Sequence, residues 1–121
     1  MMRPTYETGL KGEEIAEEYL KKKGMIRLET RYRDKTGEID LIMKDGETLV
    51  FVEVKARFSA SDGQGLQAVN YAKQRRIAKT AMLYLIRHGW QSLSVRFDVV
   101  EINQHGIIHV PNAFQPGGMR F

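Results

Sequence analysis

Residues 37–57, GEIDLIMKDGETLVFVEVKAR, contain two runs of β-branched and aromatic residues on either side of Asp45-Gly46. Runs rich in Ile, Val and Phe favour strands, which we predict over residues 38–43 and 48–56. An Asp-Gly pair is typical of a two-residue hairpin loop, because a type I′ turn needs positive φ at both central positions. The stretch therefore predicts an antiparallel β-hairpin.

The predicted loop determines which side chains project together. It places Asp40 opposite Phe51 and diagonal to Glu53, at about 7 Å in general sheet geometry. Because side chains alternate between the two faces of a strand, Asp40, Glu53 and Lys55 project from the same face. The other face is predicted to be apolar and comprises Ile39, Leu41, Met43, Val50, Val52 and Val54.

An acid and a base on an otherwise hydrophobic strand indicate a functional site. A buried charge without a partner costs free energy, so Glu53 and Lys55 must be compensated by each other, by a metal or by solvent. Such departures from core patterning are expected at functional sites. The competing interpretation is a surface ion pair on a solvated edge strand, and the two residues alone leave the two interpretations about evenly balanced. Asp40 on the same face favours the site.

Two carboxylates and an amine at this spacing suit phosphodiester chemistry. Mg²⁺ prefers oxygen ligands and keeps several waters, so Asp40 and Glu53 are predicted to bind Mg²⁺ or Mn²⁺. A bound divalent metal lowers the pKa of its water and offsets charge on a scissile phosphate. Lys55 would orient the attacking water or stabilise the transition state. Glu13, at the edge of the first predicted helix, would add a carboxylate.

The remaining sequence predicts an α/β fold. Helices are predicted over residues 11–23 and 66–88, and further strands over residues 25–32, 94–102 and 107–110. The order α-β-β-β-α-β-β favours a mixed sheet with helices packed against it. The first helix carries an apolar stripe of Ile15, Ala16, Tyr19 and Leu20, and the second a stripe of Val69, Ile77, Ala81 and Leu85.

Length and composition fit one small domain. The 121 residues, expected to form a single domain with a mobile tail from about residue 115, contain no cysteine. Disulfides, thiolate zinc sites and cysteine nucleophiles are therefore excluded, and a cytoplasmic location is expected. No apolar run approaches the roughly 20 residues that span a bilayer, so no membrane partner is expected. The net charge of +4 favours a polyanionic partner.

Polar and basic side chains near the acidic pair are predicted to contact nucleic acid. Lys73, on the second helix, is about equally well explained as a solvated lysine, and the Gln67–Tyr71 spacing is better explained by packing. Asp98 is predicted to be exposed, and His109 to be structural or exposed. The predicted contacts are Arg31, Arg33, Arg57, Gln67 and Lys73.

The hairpin also resembles a known family. Residues 37–42, GEIDLI, and residues 50–57, VFVEVKAR, are similar to the YraN-type family of small bacterial proteins. That family is related to Holliday-junction resolvases within the PD-(D/E)XK nuclease superfamily. The resemblance extends over most of the chain, including Gly12-Glu13 and the Arg96–Val100 strand. Arg31 departs from the pattern, since an asparagine is expected there.

The resemblance implies a restriction-endonuclease-like fold, with a three-layer core and a mixed sheet between helices. It implies that Asp40 and Glu53 are metal ligands, Lys55 the catalytic lysine and Glu13 the additional helix carboxylate. The implied activity is Mg²⁺- or Mn²⁺-dependent cleavage of branched or damaged DNA, by a homodimer if junction-cleaving relatives are a guide. The alternative is a non-catalytic nucleic-acid-binding module that keeps the nuclease fold. The retained Asp40, Glu53 and Lys55 disfavour a scaffold with a vestigial site.

Overall fold

The computed structural model describes residues 6–57 and 69–116, with side chains from Lys11 onward. Within these ranges lie two helices and five strands. They are α1 (Tyr6–Lys22), β1 (Ile26–Asp34), β2 (Gly37–Asp45), β3 (Thr48–Arg57), α2 (Tyr71–His88), β4 (Ser94–Asn103) and β5 (Gly106–Phe114). The predicted order is therefore confirmed. The predicted tail lies almost wholly outside the described residues.

The five strands form one sheet in the order β1-β2-β3-β4-β5. Only the β3–β4 pair is parallel. The chain between these two strands contains α2 and returns to the end of the sheet at which β3 begins, so β4 runs in the same direction as β3. Ala16 and Leu20 of α1 belong to the core cluster on one face, and Ile77 and Ala81 of α2 to the cluster on the other. The sheet thus lies between two helices, which confirms the α/β arrangement.

The hairpin loop is one residue further along the chain than the sequence predicts. Asp45 pairs with Thr48, so Gly46 and Glu47 form the loop. Gly46 has φ 61°, and Glu47 has no positive φ, which is the φ pattern of a type II′ turn with glycine first. Asp45 stays in the strand, where Arg96 Nη1 lies 3.0 Å from its carboxylate.

This register changes the partners of the acidic residues. Phe51 pairs with Ile42, not with Asp40 as predicted, and the regular β2–β3 ladder ends at the next step, Leu41 with Val52. Asp40 lies one residue beyond the last pair of this ladder, and its side chain accepts a hydrogen bond from the Val54 N–H of β3. The two acids nevertheless lie close enough for the charge of Glu53 to raise the pKa of Asp40.

The predicted apolar face is wrong at Ile39. Leu41 and Met43 pack against α1, whereas Ile39 lies in the cluster under α2 together with Ile42. Regular alternation would put Ile39 with Leu41, so the alternation is interrupted at Asp40, where the ladder to β3 ends. Asp40 therefore lies at a local irregularity of β2.

The second helix begins later than predicted. Val69 and Asn70 precede the helix, and Asn70 is its N-cap, because its side chain accepts a hydrogen bond of 2.9 Å from the Lys73 N–H. Gly89 ends the helix with φ 68°, as the sequence predicts. Gln67 lies outside the described residues.

Asp98 is fully buried, contrary to the prediction of an exposed side chain. Its carboxylate accepts hydrogen bonds from Arg96 Nε at 3.0 Å and from the Asn112 N–H at 2.9 Å. His109 Nε2 lies 2.8 Å away, which gives His109 a structural role. The prediction failed because strand alternation does not reveal that charged partners can compensate a carboxylate inside the core.

In the described ranges, neither helix is long and apolar enough to cross a membrane.

Candidate active site

The candidate site forms where β2 and β3 cease to pair through their backbones. Beyond Leu41 the acceptor for β3 is a side chain: the Val54 N–H donates a 2.8 Å hydrogen bond to Asp40 Oδ2. A buried backbone N–H must find an acceptor, and here the carboxylate supplies it. This bond holds Asp40 against the strand that carries Glu53.

Glu53 is the centre of the charge network. Only 7% of this residue is exposed, and one of its oxygens, Oε1, contacts two ammonium groups. Lys73 Nζ lies 2.6 Å away and Lys55 Nζ lies 3.4 Å away. Lys55 comes from the same strand, two residues on, while Lys73 comes from the first turn of α2. The structure therefore brings Glu53, Lys55 and Lys73 together.

The two carboxylates influence each other. Burial raises the pKa of Asp40, and the nearby charge of Glu53 raises it further, to about 7. The hydrogen bond from Val54 and the charge of Lys73 lower it, but not enough to restore the ordinary value of 3.8. Asp40 is thus a carboxyl group whose ionisation is opposed by burial and by its neighbour.

The two lysines are perturbed in opposite directions. Burial lowers the pKa of Lys55, and the adjacent Lys73 lowers it further, against the attraction of Glu53. Burial also lowers the pKa of Lys73, but its interactions with Glu53 outweigh this and leave the pKa raised. Lys73 is therefore the more firmly charged partner of Glu53, and Lys55 is the more readily deprotonated amine.

Glu13 reaches the site from α1 but is held by a different partner. Arg31 Nε lies 2.9 Å from Glu13 Oε1. Burial raises the pKa of Glu13; Arg31 opposes this shift, while the charges of Glu38 and Glu53 add to it. Arg31 has φ 49°, an uncommon conformation for a side chain with a Cβ. Arg31 stands where the resemblance leads one to expect asparagine. It therefore forms an ion pair with the carboxylate of Glu13, the acid on α1.

The residues fit a divalent cation held by two carboxylates. Mg²⁺ is commonly bound through one or two carboxylates plus waters and substrate oxygens, which Asp40 and Glu53 supply. A cation would also relieve the repulsion that raises the pKa of Asp40. Among residues 6–57 and 69–116, no group of three or more acidic, histidine or cysteine side chains lies close enough to hold a metal. Glu13, Asp40 and Glu53 therefore do not form a three-carboxylate site in the described part of the chain.

The other predicted contacts have separate environments. Arg33 Nη2 lies 2.9 Å from Glu38 in an exposed pair on the β1–β2 hairpin. Arg57, at the end of β3, has a buried Nε without a hydrogen-bond partner among the described residues.

Sequence reasoning overlooked Glu101. It pairs with Lys55 across the parallel β3–β4 ladder and is completely buried. Asn103 Nδ2 donates a 2.9 Å hydrogen bond to its Oε2. The signal was present, because Glu101 follows Phe97 and Val99 at alternating positions and hence shares their buried face. A further buried carboxylate, that of Glu101, therefore lies at the strand position next to Lys55.

Proteins of similar sequence are known. Residues 12–102 match the profile of a family described as "Uncharacterised protein family UPF0102". A UPF0102 protein of Persephonella marina is 40% identical over 106 residues, covering 88% of this chain and 91% of its own length. Another, from Thermodesulfovibrio yellowstonii, is 45% identical over 108 residues, covering 89% and 96%.

A third UPF0102 protein, from Chlorobium chlorochromatii, is 48% identical over 103 residues, covering 85% of this chain and 79% of its own. Among solved structures, "The structure of Pyrococcus Furiosus SfsA in complex with Ca2+" matches 86% of this chain and 62% of that one. Its 13% identity and TM-score of 0.36 are too low to bear on fold or chemistry here. The profile and the three relatives agree, and the chain belongs to the uncharacterised protein family UPF0102.

Proposed function

We propose that this protein is a metal-dependent endonuclease that hydrolyses phosphodiester bonds in branched or damaged DNA. The observation that carries the proposal is the proximity of Asp40 to Glu53 beyond the end of the β2–β3 ladder, with two ammonium groups on one Glu53 oxygen. Burying acids and amines costs desolvation free energy even when they are paired, so such a cluster is weak evidence for a purely stabilising role. Perturbed pKa values of this kind cluster at functional sites.

Asp40 and Glu53 would hold Mg²⁺ or Mn²⁺, which supplies an activated water and neutralises charge on the scissile phosphate. Asp40 is positioned for this by the Val54 N–H, which fixes one carboxylate oxygen. Lys55, whose pKa is lowered by burial, is suited to orient a water or to accept its proton. Lys73, whose pKa is raised, stays cationic and is suited to stabilise negative charge on the phosphate.

A non-catalytic nucleic-acid-binding module is the second candidate. The contact between Lys73 and Glu53 favours it, since an ion pair of this kind satisfies Glu53 without a metal. Both candidates bind nucleic acid, and they differ in whether the protein also cleaves it with the help of Glu53 and Lys55. The resemblance to junction-cleaving proteins adds the expectation of a homodimer, which light scattering on the purified protein tests.

The decisive experiment measures cleavage of linear, nicked, flapped and four-way DNA with Mg²⁺ or Mn²⁺. We compare the wild type with Glu53→Ala and Lys55→Ala, and use Glu38→Ala, an exposed acid on β2, as a matched control. Cleavage that is lost in the first two variants and kept in the control supports the enzyme. Equal activity in all four proteins would indicate a contaminant and contradict it. DNA binding that persists in every variant without any cleavage would favour the module.

A further inference from the structure

The surface of α2 next to the candidate site is strongly cationic. The chain has no acidic residue from Gly63 to Phe97, so α2 has no acid of its own to balance its charge. Two of its cations are paired across the fold, Lys73 with Glu53 and Arg87 with Asp34. The remaining cations of the helix are Arg75, Arg76 and Lys79.

These three side chains share one side of the helix. Together with Ala72 they occupy positions i, i+3, i+4 and i+7, which lie on one face of an α-helix. Together with Ala72 they line an open groove of about 440 Å³. Neither Arg76 nor Lys79 forms an ion pair with a carboxylate in the part of the chain that the structure describes.

Arg75 is held in place within this groove. Its guanidinium lies over the ring of Tyr71, 5.7 Å from the centroid, and its Nη1 donates a 3.2 Å hydrogen bond to the Tyr71 hydroxyl. Tyr71 is 58% exposed, a large fraction for an aromatic residue. A cation–π contact of this kind orders the guanidinium before a ligand arrives.

The groove begins beside the site. Arg76 lies one turn after Lys73, which contacts Glu53, and Lys79 lies about 9 Å from Lys73 along the helix axis. The cations from Arg75 to Lys79 span about 6 Å of helix, close to the rise of about two phosphates on one DNA strand at 3.4 Å each. The spacing matches a nucleic-acid backbone that continues beyond a phosphate at Glu53.

We propose that the α2 groove of Ala72, Arg75, Arg76 and Lys79 binds the sugar–phosphate backbone of the nucleic acid next to the cleaved phosphate. The proposal rests on the proposed function and assigns the surface that holds the substrate. The groove reads charge and not sequence, because guanidinium and ammonium groups on phosphates carry no base information. A bound duplex would release counterions as each phosphate is neutralised.

The fold supplies a matched control. A groove of similar size, about 410 Å³, lies on α1 and is lined by Lys11 and Lys22, but also by Glu14 and Glu18. Its two lysines are exposed and lie on the other side of the sheet, outside the candidate site. Removing two cations there changes the net charge by the same amount without touching the α2 groove.

The test measures binding of a short fluorescein-labelled DNA duplex by anisotropy, in EDTA to prevent cleavage, over a range of NaCl concentrations. We expect Arg76→Ala/Lys79→Ala to weaken binding about tenfold at low salt and to reduce the slope of log K against log salt by about 2. Lys11→Ala/Lys22→Ala should leave the slope unchanged. Circular dichroism verifies that each variant is folded.

Equal slopes in the wild type and the α2 double variant would overturn the assignment of the groove. If that variant also cleaves DNA as efficiently as the wild type, the proposed nuclease activity stands and only the groove is rejected. A wild type that binds no duplex at any salt concentration overturns the groove as a duplex-binding surface, while the cleavage assay with Mg²⁺ or Mn²⁺ decides separately whether the proposed function stands. If the α1 double variant reduces the slope of log K against log salt as much as the α2 double variant does, the effect is one of net charge, and the groove is also rejected.

Discussion

Lys73 Nζ lies 2.6 Å from Glu53 Oε1, and this contact ties the first turn of α2 to the middle of the sheet. Lys55 Nζ is 3.4 Å from the same oxygen. A divalent cation that binds Glu53 must therefore compete with two ammonium groups. Metal affinity, carboxyl ionisation and protein stability are consequently coupled at this site.

The first prediction concerns pH and Asp40. Its pKa in the folded protein, about 7, lies above the ordinary 3.8, so folding favours the protonated form. The stabilisation is fully present below about pH 4 and is lost as pH rises through about 7, with a loss of at most about 4 kcal/mol. Urea unfolding of the metal-free protein from pH 4 to pH 8 measures this. Asp40→Asn should flatten the dependence, and an unchanged dependence in that variant would assign it to another group.

The second prediction concerns the charge of Glu53. In Glu53→Gln the pKa of Asp40 should fall, because the carboxylate charge that helps to raise it is gone. The pKa should stay above 3.8, since burial is the larger cause and remains. Carboxyl-carbon NMR of aspartate-labelled protein follows the titration. Glu38→Gln, an exposed acid, is the control, and an Asp40 titration that does not move in Glu53→Gln would refute the coupling.

The third prediction concerns the Arg31–Glu13 pair. Replacing Arg31 by asparagine removes the contact of 2.9 Å and leaves the Glu13 carboxylate available to a cation. We expect Mn²⁺ to bind about fivefold more tightly, since a partly exposed ion pair is worth about 1 kcal/mol or less. Isothermal titration calorimetry measures the affinity, and Arg33→Asn, on the same strand but paired with Glu38, is the control. Affinities that are equal in wild type and Arg31→Asn would mean that Glu13 does not help to bind the metal.

The fourth prediction concerns the close packing of α1 on β3. A Cβ added at Gly12 would lie 2.8 Å from Ala56 Cβ, closer than side chains tolerate. Gly12→Ala should therefore push the helix from the sheet and destabilise the protein by about 1–3 kcal/mol. Chemical denaturation measures the loss. Glu14→Ala, an exposed substitution on the same helix, should change stability little, and equal stability of the two variants would contradict the packing argument.

The sequence predicted the order of elements, which follows from periodicity, and it predicted that Asp40 and Glu53 lie near each other. It misplaced the hairpin loop, since Asp45-Gly46 favours one turn by local propensity while Arg96, distant in sequence, holds Asp45 in the strand. As a result Phe51 pairs with Ile42 instead of Asp40. Local patterns set the face, and tertiary contacts set the register.

The sequence did not predict which carboxylates are buried. Asp98 was predicted to be exposed and Glu101 was not singled out, yet both are fully buried. Their compensating partners, Arg96 and His109 for Asp98 and Asn103 for Glu101, lie on the same or the neighbouring strand. An acid can be buried only if such partners lie next to it, and which residues lie next to it is known only from the folded structure. Lys73 was ambiguous for the same reason.

The hydrogen bond from Val54 to Asp40 affects how mutants at this position are interpreted. Alanine at position 40 deletes a carboxylate and at the same time leaves a strand amide without its acceptor, so an inactive Asp40→Ala protein does not separate lost chemistry from a rearranged β3. Asparagine retains an oxygen for that amide and changes the charge alone. Comparing the two substitutions therefore distinguishes an acid that reacts from an acid that shapes the strand carrying its neighbours.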